Sequence, residues 1–580
     1  MITFRLCDCL TKVLPGVEPR ATRTSLSGLV GETLSFQTAW LDTMPHAQRT
    51  EVTVSVTPVF AHDAVTAMTS ERTPDDSANV RISAFHVGLV PANIPAPELP
   101  DEGYFATDPT LLPDILLPLE LCPPAHVRPS CLTGYAATTQ SMHRGWNSIW
   151  WDVTASRGLI ALDVEYAIRE RRGRGTDEKV KVLGSERISV IVVDTPIRPP
   201  RLHNVQWFHA DSLATYYGVD PWSPEHWRVV RSHMDSCARM RINTLLTPVW
   251  TPPLDTAPGT YRRNVQLLDI AEHDGSYTFD FTRLDTWLAY MQDAGLTGVE
   301  VPHLFTQWGA HACPRFWITD DDSVMRPRFG WETPATAPEY RSFLTQLIPA
   351  LRKHLAAAVG EKNVWYHVSD EPEREHLESY RAAREVVMDM LEGAQVIDAL
   401  GEPGFHDLVA TPVVATDQIP RFRERGIEPT WVYYCVAQDI GVANRFIAQH
   451  PNRHRMLGFQ LYAGRAEGYL HWAFNFYNTQ YSLLALDPYR DTSAGGAFIS
   501  GDTFVVYPGA DGGVVESLRH RMLRSAFDDL AVCQMAEETV GREAVLRVID
   551  PQSDLDYDAG WVSEEEVLRR RAKLNQLLTQ

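Results

Sequence analysis

The spacing of apolar and polar residues divides the chain into regions of different periodicity. Up to about Pro196, short runs alternate between apolar and polar residues, as half-buried strands do. Segments rich in Pro, Gly, Asp and Ser separate these runs, so the pattern predicts a β-sandwich over residues 1–196. The predicted strands are Thr33–Ala39, Glu51–Val59, Val80–Leu89, Ser148–Val153, Gly158–Arg169 and Arg187–Val193.

Beyond the proline-rich segment Asp194–Pro200, strand-length runs alternate with helix-length amphipathic segments. This alternation predicts a (β/α)8 barrel over residues 201–490. An open doubly wound sheet is the competing fold, but its dinucleotide-binding version is disfavoured because no glycine-rich loop follows the first strand. The predicted strands are Asn204–Phe208, Thr244–Val249, Gly298–Phe305, Val364–Val368, Gln395–Leu400, Leu408–Ala415, Thr430–Cys435 and Met456–Leu461.

Residues 491–580 are predicted to form a small C-terminal appendage packed on the barrel. A short β element at Thr503–Tyr507 is followed by predicted helices at Val514–Glu537 and Ser563–Leu578. The helices predicted between the barrel strands include Pro224–Met240, Phe281–Ala294, Pro338–Ala358 and Pro372–Leu391.

Composition and charge exclude several classes of partner. The net charge of −21 disfavours nucleic acid or an anionic membrane as the main partner. No stretch of about 18 apolar residues predicts a membrane span, and the first residues lack the apolar core of a signal peptide. The eight cysteines are scattered, so reduced thiols and a cytoplasmic location are expected. No metal or organic cofactor is predicted, and the sequence is compatible with a homo-oligomer.

Two adjacent carboxylates, Asp370 and Glu371, follow the fourth predicted barrel strand. Barrel enzymes carry their chemistry at the carboxyl ends of the strands. The plain alternative is that these acids only cap the helix that follows. An ordinary retaining glycosidase needs a second carboxylate about 5 Å from the first. The predicted seventh strand, Thr430–Cys435, offers none.

An adjacent acidic pair suits a reaction in which the 2-acetamido oxygen of the substrate is the nucleophile. One carboxylate then orients the acetamido group, and one carboxylic acid protonates the leaving oxygen. Glu371 is predicted to be the acid/base, with a pKa raised by burial and by Asp370. Asp370 is expected to stay ionised.

Several stretches resemble one known family. The SDEP motif after the WYHV strand is similar to glycoside hydrolase family 123 and its relatives of unassigned function. The resemblance implies β-N-acetylgalactosaminidase activity by the substrate-assisted route, with Asp370 orienting the acetamido group and Glu371 as the acid/base. Further similar stretches are GETLSFQ (31–37), NSIWWDV (147–153), GYLHWAFN (468–475), GDTFVVYPG (501–509) and ESLRHRMLR (516–524).

Aromatic and polar residues at the other strand ends are candidates for the pocket wall. Tryptophan faces suit the apolar side of a pyranose, a tyrosine hydroxyl suits the acetamido carbonyl, and an asparagine suits ring hydroxyls. For each candidate the alternative is core packing. The predicted substrate-binding residues are Trp250, His303, Trp308, Tyr433, Tyr434, Trp472 and Asn475.

The sequence thus predicts an exo-acting hydrolase that releases terminal β-linked N-acetylhexosamine, with N-acetylgalactosamine preferred. A glycan is the expected partner. One alternative is a glycosidase acting on a sugar without an acetamido group, with Glu300, Glu332 or Asp439 as the second carboxylate. The other alternative is a non-catalytic carbohydrate-binding protein.

Overall fold

The N-terminal part of the computed structural model folds into two β-sheets. The structure describes residues 2–20, 25–43, 51–61, 80–122, 134–171 and 178–579. One sheet has the strand order β1-β3-β9-β5-β6, and the other has the order β2-β11-β10-β4-β8-β7. The strands are β1 (Thr3–Asp8), β2 (Ser25–Val30), β3 (Thr33–Asp42), β4 (Glu51–Phe60), β5 (Ile82–Ala92), β6 (Thr110–Leu119), β7 (Leu121–Cys122), β8 (Tyr135–Gln140), β9 (Gly145–Thr154), β10 (Leu159–Arg171) and β11 (Glu178–Pro196).

Alternating side chains hold the two sheets together. In β4, Val52, Val54 and Val56 are buried, while the residues between them are only partly covered. These valines join apolar side chains of the other sheet, such as Phe36 and Trp151, in one core cluster. The period-two pattern therefore predicts both the strands and the face that each one buries.

A closed barrel of eight parallel strands follows, in the order β12-β13-β16-β19-β20-β21-β22-β23. Pairing of β23 with β12, from His203 opposite Gly468 to Gln206 opposite His471, closes it. The remaining strands form a small four-stranded sheet and a terminal hairpin. The strands are β12 (His203–Gln206), β13 (Thr244–Leu246), β14 (Asp269–His273), β15 (Ser276–Asp280), β16 (Gly298–Glu300), β17 (Arg315–Thr319), β18 (Met325–Phe329), β19 (Val364–Tyr366), β20 (Gln395–Leu400), β21 (Thr411–Ala415), β22 (Trp431–Tyr433), β23 (Gly468–His471), β24 (Val506–Pro508) and β25 (Val514–Glu516).

Helices connect most of the barrel strands, but the alternation is not complete. Between β20 and β21 the chain makes only a 3-10 turn at Pro403–Phe405. The glycines and proline of this segment oppose a longer helix. The α-helices are α1 (Ala210–Tyr216), α2 (Pro224–Arg239), α3 (Thr282–Ala294), α4 (Pro338–Val359), α5 (Leu377–Val387), α6 (Ile419–Arg423), α7 (Pro451–Ala463), α8 (Leu518–Val540), α9 (Arg542–Ile549) and α10 (Glu564–Leu577).

The eighth predicted strand is wrong. Residues Met456–Leu461 lie within α7, and the eighth strand is Gly468–His471. Because α7 is buried on almost every side, its apolar run lacks the helical period and cannot be told from a buried strand. Gly468 is required in β23, because a Cβ atom there would lie 2.0 Å from the Trp431 ring.

The C-terminal elements begin later than predicted. Residues 514–516 are strand β25, and α8 starts at Leu518, where the Ser517 side chain accepts a hydrogen bond from the backbone N–H of His520. Across the described residues, none of the helices combines the length and the apolar character needed to span a membrane.

Candidate active site

Backbone hydrogen bonds from the segment that follows β16 position the residues between β19 and the acidic pair. The N–H groups of Leu304 and Phe305 donate to the carbonyls of His367 and Val368, each at 3.1 Å, and Trp308 N–H donates to Asp370 O at 3.0 Å. These bonds continue the pairing of the barrel past the ends of its strands. The backbone of the acidic pair is therefore positioned by the third strand.

Glu371 has a φ of 41°, in the left-handed region that non-glycine residues rarely adopt. The following 3-10 turn begins at Arg374 and α5 begins at Leu377. Glu373, rather than either member of the pair, makes the capping contacts of that turn. Backbone strain at this point, without a capping role, is the pattern of a functional turn.

The two carboxylates have different surroundings. Asp370 is 8% exposed, and no described residue donates a hydrogen bond to its carboxylate. The Tyr433 hydroxyl donates to Glu371 Oε1 at 2.7 Å, and the Cys435 thiol lies 3.8 Å from the same oxygen. Asp370 thus keeps both oxygens free for a ligand, while Glu371 is already held from the seventh strand.

Burial raises the pKa of both groups. For Glu371 the hydrogen bond from Tyr433 opposes the effect of burial. For Asp370, burial is the largest cause and the charge of Glu371 adds to it, so the pKa of Asp370 is raised well above the ordinary range. Burial therefore opposes the ionised form that was expected for Asp370, and the expectation stays a prediction. Because the charge of Glu371 adds to the effect of burial, a proton on Glu371 makes ionisation of Asp370 easier.

A buried ionic network lies beneath Asp370. His367 Nε2 contacts Glu300, and its Nδ1 lies 3.3 Å from Asp398 Oδ1. Burial favours a neutral ring, but the two carboxylates outweigh it and raise the pKa of His367 to about 10. Trp207 Nε1 donates to Glu300 at 2.9 Å, and the Tyr380 hydroxyl donates to Asp398. His367 is therefore an imidazolium that partly offsets the negative charge around Asp370.

Among the described residues, His303, His367 and Asp398 offer ligand atoms within 4.8 Å of one another, a spacing that invites a test for a metal site. His367 uses both ring nitrogens in contacts with carboxylates. The His303 ring stacks face to face on the His367 ring at a centroid distance of 4.2 Å. Histidines that bind one metal ion instead point their ring nitrogens at a common centre. The arrangement fits a charge network and not a metal centre.

Trp472 is held from two sides at the end of β23. Its Nε1 donates to Asp502 Oδ2 at 2.9 Å, and its carbonyl accepts from His209 Nε2 at 3.0 Å. The Nδ1 atom of His209 in turn accepts from Arg262, which forms a buried ion pair with Asp211. The indole is therefore fixed in position and stays partly exposed in the inner core group that contains Tyr433.

Other predicted pocket residues fall into two groups. Trp308 is 36% exposed and its ring lies edge-on to Tyr481 at 5.8 Å, close to Asp370. His303 is buried, and neither of its ring nitrogens has a partner among the described residues. These two residues, with Tyr433 and Trp472, gather around the acidic pair.

Trp250, Tyr434 and Asn475 are fully buried and occupied by other contacts. Trp250 Nε1 donates to the His303 carbonyl at 3.2 Å. Tyr434 packs against Tyr469 and His471, on the face of the strand opposite to Tyr433. The Asn475 amide bonds the backbone of His209 at 2.9 and 3.2 Å. The structure places these three in the supporting framework.

Two of the three candidate second carboxylates are engaged elsewhere. Glu300 belongs to the buried network, and the exposed Glu332 accepts from the Tyr261 hydroxyl at 2.7 Å. Asp439, the third candidate, is only partly buried, and its backbone carbonyl accepts a hydrogen bond from the Tyr104 hydroxyl at 2.6 Å.

Sequence reasoning missed two acids that interact electrostatically with Glu371. Asp417 raises the pKa of Glu371, and Glu371 raises that of the fully buried Asp502. Burial is the main cause that brings the pKa of Asp502 to about 7. Asp502 lies in the stretch GDTFVVYPG, whose resemblance to a family was the one available signal.

Known proteins resemble this chain to different degrees. A solved family 123 glycoside hydrolase from Clostridium perfringens, studied for glycolipid glycan hydrolysis, has a TM-score of 0.68 at 13% identity and covers 100% of this chain and 98% of its own. A putative β-galactosidase from Bacteroides fragilis has a TM-score of 0.29 at 8% identity, with coverages of 89% and 60%. No curated protein sequence matches the chain.

The family model described as glycoside hydrolase 123, catalytic domain, matches residues 207–536. This match takes in more than half of the 580 residues and contains the acidic pair, the buried network and Trp472. The chain is therefore a glycosidase that belongs to glycoside hydrolase family 123.

Proposed function

We propose that this protein is an exo-acting hydrolase that releases terminal β-linked N-acetylgalactosamine by a substrate-assisted, retaining mechanism. The observation that carries the proposal is the contrast between the fourth and seventh strands. The fourth ends in two adjacent carboxylates, and the seventh faces them with the Tyr433 hydroxyl instead of a carboxylate. Such a site lacks the usual nucleophile and suits a substrate that supplies its own.

Asp370 is assigned to the 2-acetamido group. Its carboxylate has no hydrogen-bond donor among the described residues, so the acetamido N–H can occupy it. Burial alone favours its protonated form. The N–H donor and the positive charge that develops on the acetamido group stabilise the ionised form of Asp370, and Glu371 carries the proton that the reaction needs.

Glu371 is assigned the role of acid/base. Its proton passes to the glycosidic oxygen while the acetamido carbonyl oxygen attacks C1, the C1–O bond breaks and a cyclic oxazolinium ion forms. Glu371 then accepts a proton from the water that attacks C1 and reopens the ring, which gives net retention. Tyr433 holds the carboxylate in place, and the fixed Trp472 indole offers a face for the pyranose.

The test compares three nitrophenyl glycosides: the β-N-acetylgalactosaminide, the β-N-acetylglucosaminide and the plain β-galactoside. A thiazoline mimic of the oxazolinium ion is added as an inhibitor. Cleavage of acetamido sugars alone, blocked by the thiazoline, is the expected result, and the better sugar identifies the C4 epimer. Equal cleavage of the galactoside would reject acetamido participation and turn attention to Asp417 and Asp502 as nucleophiles.

A further inference from the structure

A small cavity opens beside the acidic pair, between the loops that follow the second and third barrel strands. Its volume is about 30 Å³, which is room for two water molecules. Its inner wall is buried at Thr256 and Thr306, and its outer wall is partly exposed at Tyr261 and Trp331.

Two guanidinium groups of this lining carry unused donors. Arg262 is 9% exposed and binds Asp211 and His209 through Nε and Nη2, but its Nη1 has no partner among the described residues. Arg315 lies over the Tyr261 ring, and its buried Nε also has none. A buried N–H without an acceptor is costly, so each such group calls for a ligand.

Most of the remaining polar groups of the wall are hydroxyls, beside the Cys313 thiol and the indole N–H groups of Trp317 and Trp331. Thr306 Oγ1 accepts from the backbone N–H of Ala312 at 3.2 Å, which leaves its own proton free to donate. Two acids of this region are engaged: Asp211 with Arg262, and Glu332 with Tyr261 and, at 3.9 Å, with Arg315. The Oδ2 atom of the third, Asp255, is buried and has no partner among the described residues, and burial raises the pKa of Asp255 to about 6 against the effect of Arg262. The cavity therefore presents cationic and neutral donors, in a chain whose net charge is −21.

The cavity also adjoins both sides of the catalytic centre. The Ser369 hydroxyl, one residue before Asp370, donates to the Thr306 carbonyl at 2.8 Å. On the other side, Arg262 bonds His209, which holds the carbonyl of Trp472 at 3.0 Å. These hydrogen bonds connect the cavity wall to the backbone beside Asp370 and to the backbone of Trp472.

We infer that the cavity is a subsite for an oxyanion, a sulfate ester or carboxylate carried by the terminal sugar of the substrate. Two oxygens of such a group match the two free guanidinium donors and the available space. The inference rests on the proposed function for the position of the sugar. In the proposed function Glu371 acts at C1 and Asp370 binds the substituent at C2. The anionic group is therefore carried at O3, O4 or C6.

The first arm of the test measures kcat/KM for nitrophenyl β-N-acetylgalactosaminides with a sulfate ester at O3, O4 or O6, each beside the unsulfated parent. One isomer is expected to exceed the parent about tenfold or more. In Arg315→Gln that ratio should fall towards one, and Arg315→Lys should keep part of it because the charge remains. No preference for any isomer overturns the inference.

The matched control is Arg328→Gln, on β18 of the same small sheet. Arg328 pairs with Glu272 at 2.9 Å and does not line the cavity. The ratio of sulfated to unsulfated kcat/KM should stay at the wild-type value in this variant. Arg262 is left intact, because its removal would leave Asp211 buried without a partner.

The second arm measures binding without turnover. Calorimetry is done with sodium sulfate alone and with the free sulfated and unsulfated monosaccharides, N-acetylgalactosamine and galactose. Tighter binding of one sulfated sugar, weakened in Arg315→Gln, supports the subsite even if the acetamido mechanism is wrong. Binding of inorganic sulfate without any preference for a sulfated sugar overturns the assignment to the substrate and indicates a free anion as the ligand.

Discussion

At the scale of single residues, Asp370 and Glu371 differ in the groups that contact their carboxylates. Glu371 receives a hydrogen bond from Tyr433 at 2.7 Å, and no described residue donates one to Asp370. This difference is the reason to assign proton transfer to one and recognition of the acetamido group to the other.

Replacing Glu371 with Gln removes the transferable proton but keeps the shape of the side chain. Hydrolysis of natural glycans should fall by about 10²- to 10⁴-fold, while a dinitrophenyl glycoside, whose leaving group needs no proton, should lose much less in the first step. Asp370→Asn is the matched variant and should slow the first step for every leaving group. Pre-steady-state rates across a leaving-group series check this, and equal losses in Glu371→Gln would contradict its role as the acid.

Tyr433→Phe should change the pH dependence as well as the rate. The hydrogen bond from Tyr433 lowers the pKa of Glu371 against the effect of burial, so its loss raises that pKa further. In the proposed mechanism the acid form of Glu371 is the active one, so activity should be lost as pH rises through its pKa. The basic limb of the kcat/KM profile should therefore move to higher pH. An unmoved limb would show that another group controls it.

At the scale of elements, local pattern was sufficient where a segment buries one face. Strand β4 and helix α4, Pro338–Val359, were predicted nearly to the residue because their apolar positions repeat with the period of the element. Helix α7 was missed because both of its faces are buried. The close packing of α7 can be tested by a substitution.

Gly458 lets α7 approach α8. A Cβ atom at this position would lie 1.9 Å from the carbonyl oxygen of Ala526, so one helix must shift. Gly458→Ala should lower the free energy of unfolding by about 1–3 kcal/mol or more. Gly404→Ala is the control, with open space around the added methyl group and an expected change within about 0.5 kcal/mol. Urea unfolding of both variants measures the difference, and equal stability would contradict the close contact.

At the scale of the whole molecule, one core cluster runs from the N-terminal sheets through the barrel to the C-terminal helices. Buried ion pairs cross the same boundaries. Asp114 on β6 accepts two bonds of 2.9 Å from Arg519 on α8 and one of 2.6 Å from Tyr507. The division at residues 196, 201 and 490 stays a prediction, since the packing joins the parts.

Asp114→Asn should destabilise the whole chain by about 3–5 kcal/mol, because Arg519 is left buried without its partner. Burial alone would raise the pKa of Asp114, but Arg519 outweighs it and the pKa is lowered. The stabilisation is therefore present above the unfolded-state pKa of about 3.9 and is lost as pH falls below it. Asp163→Asn, at an exposed pair with Arg187, is the control and should cost at most about 1 kcal/mol. Similar losses in the two variants would refute the role of the buried pair.

The sequence by itself determined seven of the eight barrel strands, several of the helices, the place of the acidic pair at the end of the fourth barrel strand and the family. These features depend on residues close together in the chain, whose spacing is visible in the sequence. Only the tertiary structure decided that Asp502 holds Trp472, that His367 sits between Glu300 and Asp398, and that Trp250 and Asn475 are framework. Closure of the barrel brings such distant residues together, and no local pattern encodes which of them meet.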